Sequence, residues 1–231
     1  MTRAGMWVAG LCLAGVVQAG WEGRLTATTD YINRGWSQSR ELPALQAGLD
    51  GWLENGCALG VWASQVRFPG DPATLEADIV LGWSRSLGPL ELELDAQHIT
   101  YPGCPESDYT EFVLNAGLDP WELELLGSPD YAACGSAGGY LGLTGTKALR
   151  EFLALHAGLG CTWYSRAAAE DLLGDRQARL NLDWQLGTTL THAPFTASLT
   201  YHDTDQRSAT LADGLAGRRF ILAVGVCYGR E

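Results

Sequence analysis

The constraint that narrows the fold most is an alternation of apolar and polar residues with period two, the spacing of a strand with two unlike faces. Twelve segments carry it, over roughly 22–32, 43–54, 57–67, 75–86, 89–100, 108–118, 120–127, 137–146, 151–164, 176–188, 194–204 and 217–228. Their connections alternate in length. Long stretches at 33–42, PGDPAT, YPGCPES, SPDYAACGS, RAAAEDLLGD and DTDQRSATLADGLA take turns with tight ones at Asn55-Gly56, Leu87-Gly88, Asp119, Thr146 to Arg150 and HAP. An up-and-down antiparallel sheet with short turns at one end and long loops at the other produces this order. Greek-key crossovers would break it.

Each segment sorts its residues cleanly. The fifth places Leu90, Leu92, Leu94 and Ala96 on one face and Glu91, Glu93, Asp95 and Gln97 on the other. The fourth sets Ala77, Ile79, Leu81 and Trp83 against Glu76, Asp78, Gly82 and Ser84, and the tenth and eleventh follow suit. A soluble sandwich would bury the apolar faces, whereas a transmembrane barrel would turn them to lipid and keep the charges around a wet lumen. The loop alternation favours the barrel. So do aromatics near strand ends, Trp21, Tyr31, Trp83, Trp121, Trp163, Trp184, Tyr201 and Tyr228, read as interface anchors. After residue 19 no uninterrupted apolar run reaches the ~18 residues of a spanning helix, so insertion would use strands. The expected fold is an all-β antiparallel barrel of about twelve strands.

The opening MTRAGMWVAGLCLAGVVQAGW reads as an export leader over residues 1–19, with Arg3 as the charged region, Met6 to Val17 apolar, and Val17-Gln18-Ala19 as the cleavage site. Residues 20–231 then form one barrel domain, expected in an outer membrane. The formal net charge of −12 becomes one unit more negative when Arg3 leaves with the leader, which argues against nucleic acid as a partner.

Residues 28 to 64 carry a more specific signal. A strand ends on Tyr31; a loop follows with Arg34, Gly35, Ser37 and Gln38; and a second strand holds Pro43, Ala44, Gln46, Gly48 and Asp50, followed by Gly60, Trp62 and Ser64. With Tyr101-Pro102-Gly103 further on, the stretch from about residue 26 to 118 resembles the TorF family of porins. The resemblance implies an outer-membrane β-barrel. Arg34 is expected to order the first loop through an acid or a backbone carbonyl, because the glycine after it marks a tight bend.

If the faces are assigned correctly, the lumen is lined by Asp30, Asp50, Glu76, Asp78, Glu91, Glu93, Asp95, Glu111, Glu122, Glu124 and Asp183. Arg24, Arg179 and Arg219 oppose them. Such an acid excess in a narrow pore would enrich cations. The mature chain holds five cysteines, at 57, 104, 134, 161 and 227; Cys104 and Cys134, both in loop text on one membrane face, are the expected disulfide. No metal-ligand spacing and no cofactor motif is present, so none is expected.

Rim-based lipid enzymes also occur on such barrels, and four histidines bear on that. His98 falls on the apolar face near the outer end of its strand, His156 low in the lumen and His192 in a short turn. His202 shares a face with Ser198 but not with Asp203, so the carboxylate of a Ser–His–acid triad would be misplaced. The expected function is passive diffusion of small hydrophilic solutes, cations preferred, without catalysis. Outer-membrane lipids and the barrel-insertion machinery are the expected partners, although Tyr228 stands three residues before the end rather than at it. The alternatives are a closed structural or adhesion barrel with a plugged lumen, an outer-membrane lipid hydrolase using His98 or His202, and, more remotely, a soluble periplasmic β-protein. Two stretches are ambiguous. TKALREFLALH fits a helix almost as well as a turn and strand, and RAAAEDLL fits a helical turn.

Overall fold

The computed structural model describes residues 19–205 and 215–230. The expected leader, apart from Ala19, lies outside the described residues. Twelve strands form the wall: β1 (Gly20–Thr28), β2 (Ala44–Trp52), β3 (Cys57–Gln65), β4 (Leu75–Leu87), β5 (Leu90–Thr100) and β6 (Tyr109–Leu118). The second half is β7 (Trp121–Ser128), β8 (Gly138–Arg150), β9 (Leu153–Tyr164), β10 (Leu180–His192), β11 (Phe195–Thr204) and β12 (Arg219–Arg230). Each pairs antiparallel with its sequence neighbours, and β1 pairs with both β2 and β12, closing the barrel. Thr28 on β1 stands between Ala44 and Ala223. Closure leaves no strand edge unpaired, the condition for placing backbone N–H and C=O groups in hydrocarbon.

The faces follow the pleat. On β4, Ile79 and Leu81 are 51% and 62% exposed while the alternating Asp78 and Val80 are 4% and 3%. A soluble sandwich would reverse that sense. Here leucines cover the outer surface and carboxylates face inward, the arrangement of a barrel whose solvent outside is lipid. Trp21, Trp121, Phe195 and Tyr228 form part of an outward aromatic girdle at the short-turn end. No described helix is long and apolar enough to cross a membrane.

Three expectations are corrected here. The turn expected at Thr146 to Arg150 falls later: TKALREFLALH is strand and turn rather than helix, but β8 continues to Arg150, slips register between Ala148 and Arg150, and turns at residues 151–152 into β9. Pairing of Lys147 to Arg150 with β9, and of β9 in turn with β10, outweighs the helix propensity of Ala, Leu, Lys and Arg. Tyr31 is no interface anchor. Its ring packs edge-on against Trp62 at 5.4 Å and its hydroxyl donates to Glu76 at 3.0 Å inside the barrel. The Cys104–Cys134 bridge is not formed, and all five cysteines from Cys57 onward are free. Each of the two is taken up by its own surroundings: Cys104 sits in an apolar cluster with Val66, Ala73, Ile99 and Tyr101, and Cys134 packs against another around Tyr131 and Tyr164.

RAAAEDLL does form a helix, α1 (Arg166–Leu173), capped by the Ser165 side chain accepting from the Ala168 N–H and ended by Gly174 in the left-handed region. Its apolar face, Ala168, Ala169 and Leu173, packs with Val113, Leu126, Tyr131 and Tyr164 over the β6–β9 side of the long-loop end.

Candidate functional site

The first long loop, residues 29–43, folds inward. Within it Ile32–Asn33 and Trp36–Ser37 pair as a short ribbon turned by Arg34 and Gly35, both at positive φ (48° and 84°). Asp30 fastens the base of this ribbon. One of its carboxylate oxygens accepts from the hydroxyls of Ser37 and Ser39 at 2.6 and 2.8 Å, and the other pairs with Arg219 of β12 at 3.0 Å. Ser37 is completely buried. Its N–H donates to the carbonyl of Leu215, Trp36 bridges Ala216, and the Gln38 carbonyl accepts from the Arg67 N–H. The ribbon is thus held by the sixth and second long loops as well as by its own wall. Tyr31 and Trp36 pack into the two apolar clusters beside it.

At the tip, Arg34 reaches the far side of the barrel. Its two terminal nitrogens donate to the two carboxylate oxygens of Glu111 on β6, both at 2.8 Å, in a paired fork. Nη1 also donates to the Tyr131 hydroxyl at 3.4 Å, and the guanidinium carbon lies 5.4 Å from the ring centre of Tyr140 and 5.9 Å from that of Tyr131. The side chains of Arg34 and Glu111 are 8% and 3% exposed. Burial pulls the Arg34 pKa down, but the carboxylate of Glu111, with Tyr131, outweighs it and holds the group well above its ordinary value. The Tyr31 phenol is pushed up, first by burial and then by the charge of Glu76.

Gly35 is required at the turn. A Cβ there would stand 2.9 Å from the Cβ of Asp183 and 3.0 Å from that of Thr204, so the ribbon abuts β10 and β11 with no room for a side chain.

Most acids expected in the lumen are buried in the barrel, and many have partners. Glu76 accepts from Tyr31 and Tyr101, Asp78 from Gln97 at 2.7 Å, Asp183 from Tyr140 at 3.4 Å, and Asp50 pairs with Arg24, which also meets Glu22. Glu91 accepts from Ser86 near the short-turn end. Glu93 is buried on the same strand face as Asp95, and Glu122 is exposed at the start of β7. Among the described residues, Asp78 Oδ1, Asp95 Oδ1, Glu124 Oε1 and Asp183 Oδ2 are buried without a hydrogen-bond partner. Arg179 lies one residue outside β10, exposed, and donates to the Tyr164 carbonyl. Sequence periodicity placed Arg34 in a loop and so omitted it from the lumen. The signal that marks it is its position before a glycine in the first-loop motif.

The Ser198–His202–Asp203 set is not assembled as a triad. Asp203 accepts from Tyr201 at 3.0 Å, while His98 faces outward beside Thr110. The described residues contain no cluster of three or more His, Cys, Asp or Glu suited to a metal ion.

A closed twelve-stranded wall, apolar outside and acidic within, defines a porin-like β-barrel, and solved porins share its fold. The KdgM porin superposes with a TM-score of 0.56 at 6% identity, covering 90% of this chain and 98% of its own. The NanC porin gives 0.55 at 9% identity over 90% and 98%. The Acinetobacter baumannii outer membrane protein Omp33 gives 0.50 at 8% identity over 93% and 100%. In sequence, residues 21–221 match the family described as "Bacterial protein of unknown function (Gcw_chp)", and the chain belongs to that family. No curated protein matches it.

Proposed function

We propose that this barrel is an outer-membrane diffusion channel for small hydrophilic solutes, with a preference for cations and no catalytic role. The observation that carries the reading is the set of inward carboxylates on the wall without an arginine partner, Glu76, Asp78, Asp95, Glu124 and Asp183, in a fold shared with porins. Of the arginines inside, Arg24 pairs with Asp50, Arg34 with Glu111 and Arg219 with Asp30, so the positive charge within is matched and the remaining acids set the field. One relative in fold has been solved as "KdgM porin in complex with disordered oligogalacturonate". An acidic wall of the present kind would repel such a polyanion. In this reading the leader exports the chain, the insertion machinery recognises the last strand near Tyr228, outer-membrane lipids cover the leucine face, and the first-loop motif is that of a TorF-type porin.

Reconstitution in a planar bilayer under a salt gradient tests it. Single-channel current with a cation-selective reversal potential, weakened by joint neutralisation of Glu91, Glu93 and Asp95, is the expected result. The inward ribbon favours a second reading, a closed structural barrel. A folded, heat-modifiable barrel that stays silent, even with the ribbon's Arg34 anchor removed, selects it.

A further inference from the structure

The anchor of the ribbon is chemically unusual for a mere tether. Around the Arg34 guanidinium stand a carboxylate presented edge-on for two parallel hydrogen bonds, a phenol hydroxyl, and the rings of Tyr140 and Tyr131 at cation–π distance. Two more inward carboxylates stand on neighbouring strands: Asp183, which accepts from Tyr140 and abuts the Gly35 turn, and Glu124 on β7 beside β6. Each keeps one buried oxygen without a hydrogen-bond partner. One acid of this seat thus grips the arginine, and two others on the same wall, Asp183 beside Tyr140 and the Gly35 turn among them, keep an oxygen that the arginine does not engage. The ribbon does not depend on the arginine alone: Arg34 stands at the tip of a two-residue turn whose base is fixed separately by Asp30, Ser37 and Ser39.

Resting on the channel reading above, we propose that this seat is a recognition site for a guanidinium or ammonium group of the permeating solute, and that such a solute opens the path by displacing Arg34 from Glu111, Tyr131 and Tyr140. The residue of the chain is then a resident stand-in for the cation that the channel admits. Both cations make the same contacts, so the exchange costs little and the seat is never left as an uncompensated buried charge. A tethered group competes at an effective concentration in the millimolar range, so free guanidinium acts at about 10–50 mM.

The test is single-channel recording of the full mature barrel in sodium chloride, with part of the sodium replaced by guanidinium at constant ionic strength. Guanidinium is expected to raise the open probability of the wild type roughly tenfold. Arg34→Ala and Glu111→Gln are expected to conduct from the outset and to ignore guanidinium. Heat-modifiable migration checks that each variant is folded. If Arg34→Ala does not fold, Arg34→Lys takes its place, because loss of the paired fork should lower the half-effective guanidinium concentration roughly tenfold. A wild type that conducts but responds equally to sodium and guanidinium, or is blocked by guanidinium, overturns this proposal and leaves the channel reading standing. Silence from folded wild type and Arg34→Ala in both salts overturns the channel reading and this proposal with it.

Discussion

Arg34 in the first long loop and Glu111 on β6, 77 residues apart in sequence, meet across the barrel in two parallel hydrogen bonds of 2.8 Å. Both side chains are buried, so removing either one strands the other. Glu111→Gln is expected to lower barrel stability by about 3–5 kcal/mol, the usual cost of breaking a buried pair from one side. Arg34→Ala plus Glu111→Gln should cost less than the sum of the single changes. Urea unfolding from lipid vesicles measures all three, and strict additivity would show that the two residues do not depend on each other.

Gly35→Ala challenges the ribbon without touching its charges. Positive φ disfavours the new side chain, and the added Cβ meets Asp183 and Thr204 at 2.9 and 3.0 Å. The expected cost is about 1–3 kcal/mol, concentrated in the loop. Protease cleavage after Arg34 or Arg40 should quicken while the heat-modifiable barrel persists. Unchanged cleavage would mean that the ribbon does not depend on this contact.

The two faces of the wall predict opposite tolerance. Leu159 on β9 is 67% exposed and outward, so Leu159→Arg should cost about 2–4 kcal/mol in a bilayer. Gln97→Arg places the same charge beside Asp78, which Gln97 already contacts at 2.7 Å, and should cost less than about 1 kcal/mol. Equal penalties would contradict the assignment of inside and outside.

Cys57 is exposed beside the Asn55-Gly56 turn, whereas Cys104 is 2% exposed. With short turns on the periplasmic side, a membrane-impermeant maleimide should miss Cys57 on intact cells and label it once the outer membrane is permeabilised. Reductant should leave the migration of the folded barrel unchanged, since no cysteine from Cys57 onward is bridged. A reductant-sensitive shift would restore the Cys104–Cys134 pairing.

Period two made the wall legible. It located all twelve strands and predicted that Glu76, Asp78, Glu93 and Asp95 turn away from Ile79, Leu81 and Leu94, because in a strand the face of a side chain is a local property. It failed at Lys147 to Arg150, where helix propensity and strand pairing compete and only the partner strand β9 decides. It could not reveal the site. Parity says that Glu111 points inward, but not that a loop arginine will cross the lumen to meet it, since that contact depends on closure of the whole barrel. Tyr31 misled for a related reason: an aromatic at a strand end satisfies an interface or a lumen equally well until its hydroxyl partner, Glu76, is seen.

Barrel closure also sets an order of events. The ribbon follows the first strand, yet Arg219, which grips its base through Asp30, lies 189 residues later, near the end of the chain. Glu111, Tyr140 and Asp183, which surround its tip, arrive in between. The interior is therefore written before its enclosure, and the sheet must curl around a segment that already waits inside. Contacts of such long sequence separation form late and slowly. A chain stopped short of β12 would lose both the seam that closes the cylinder and the last clasp on what the cylinder contains.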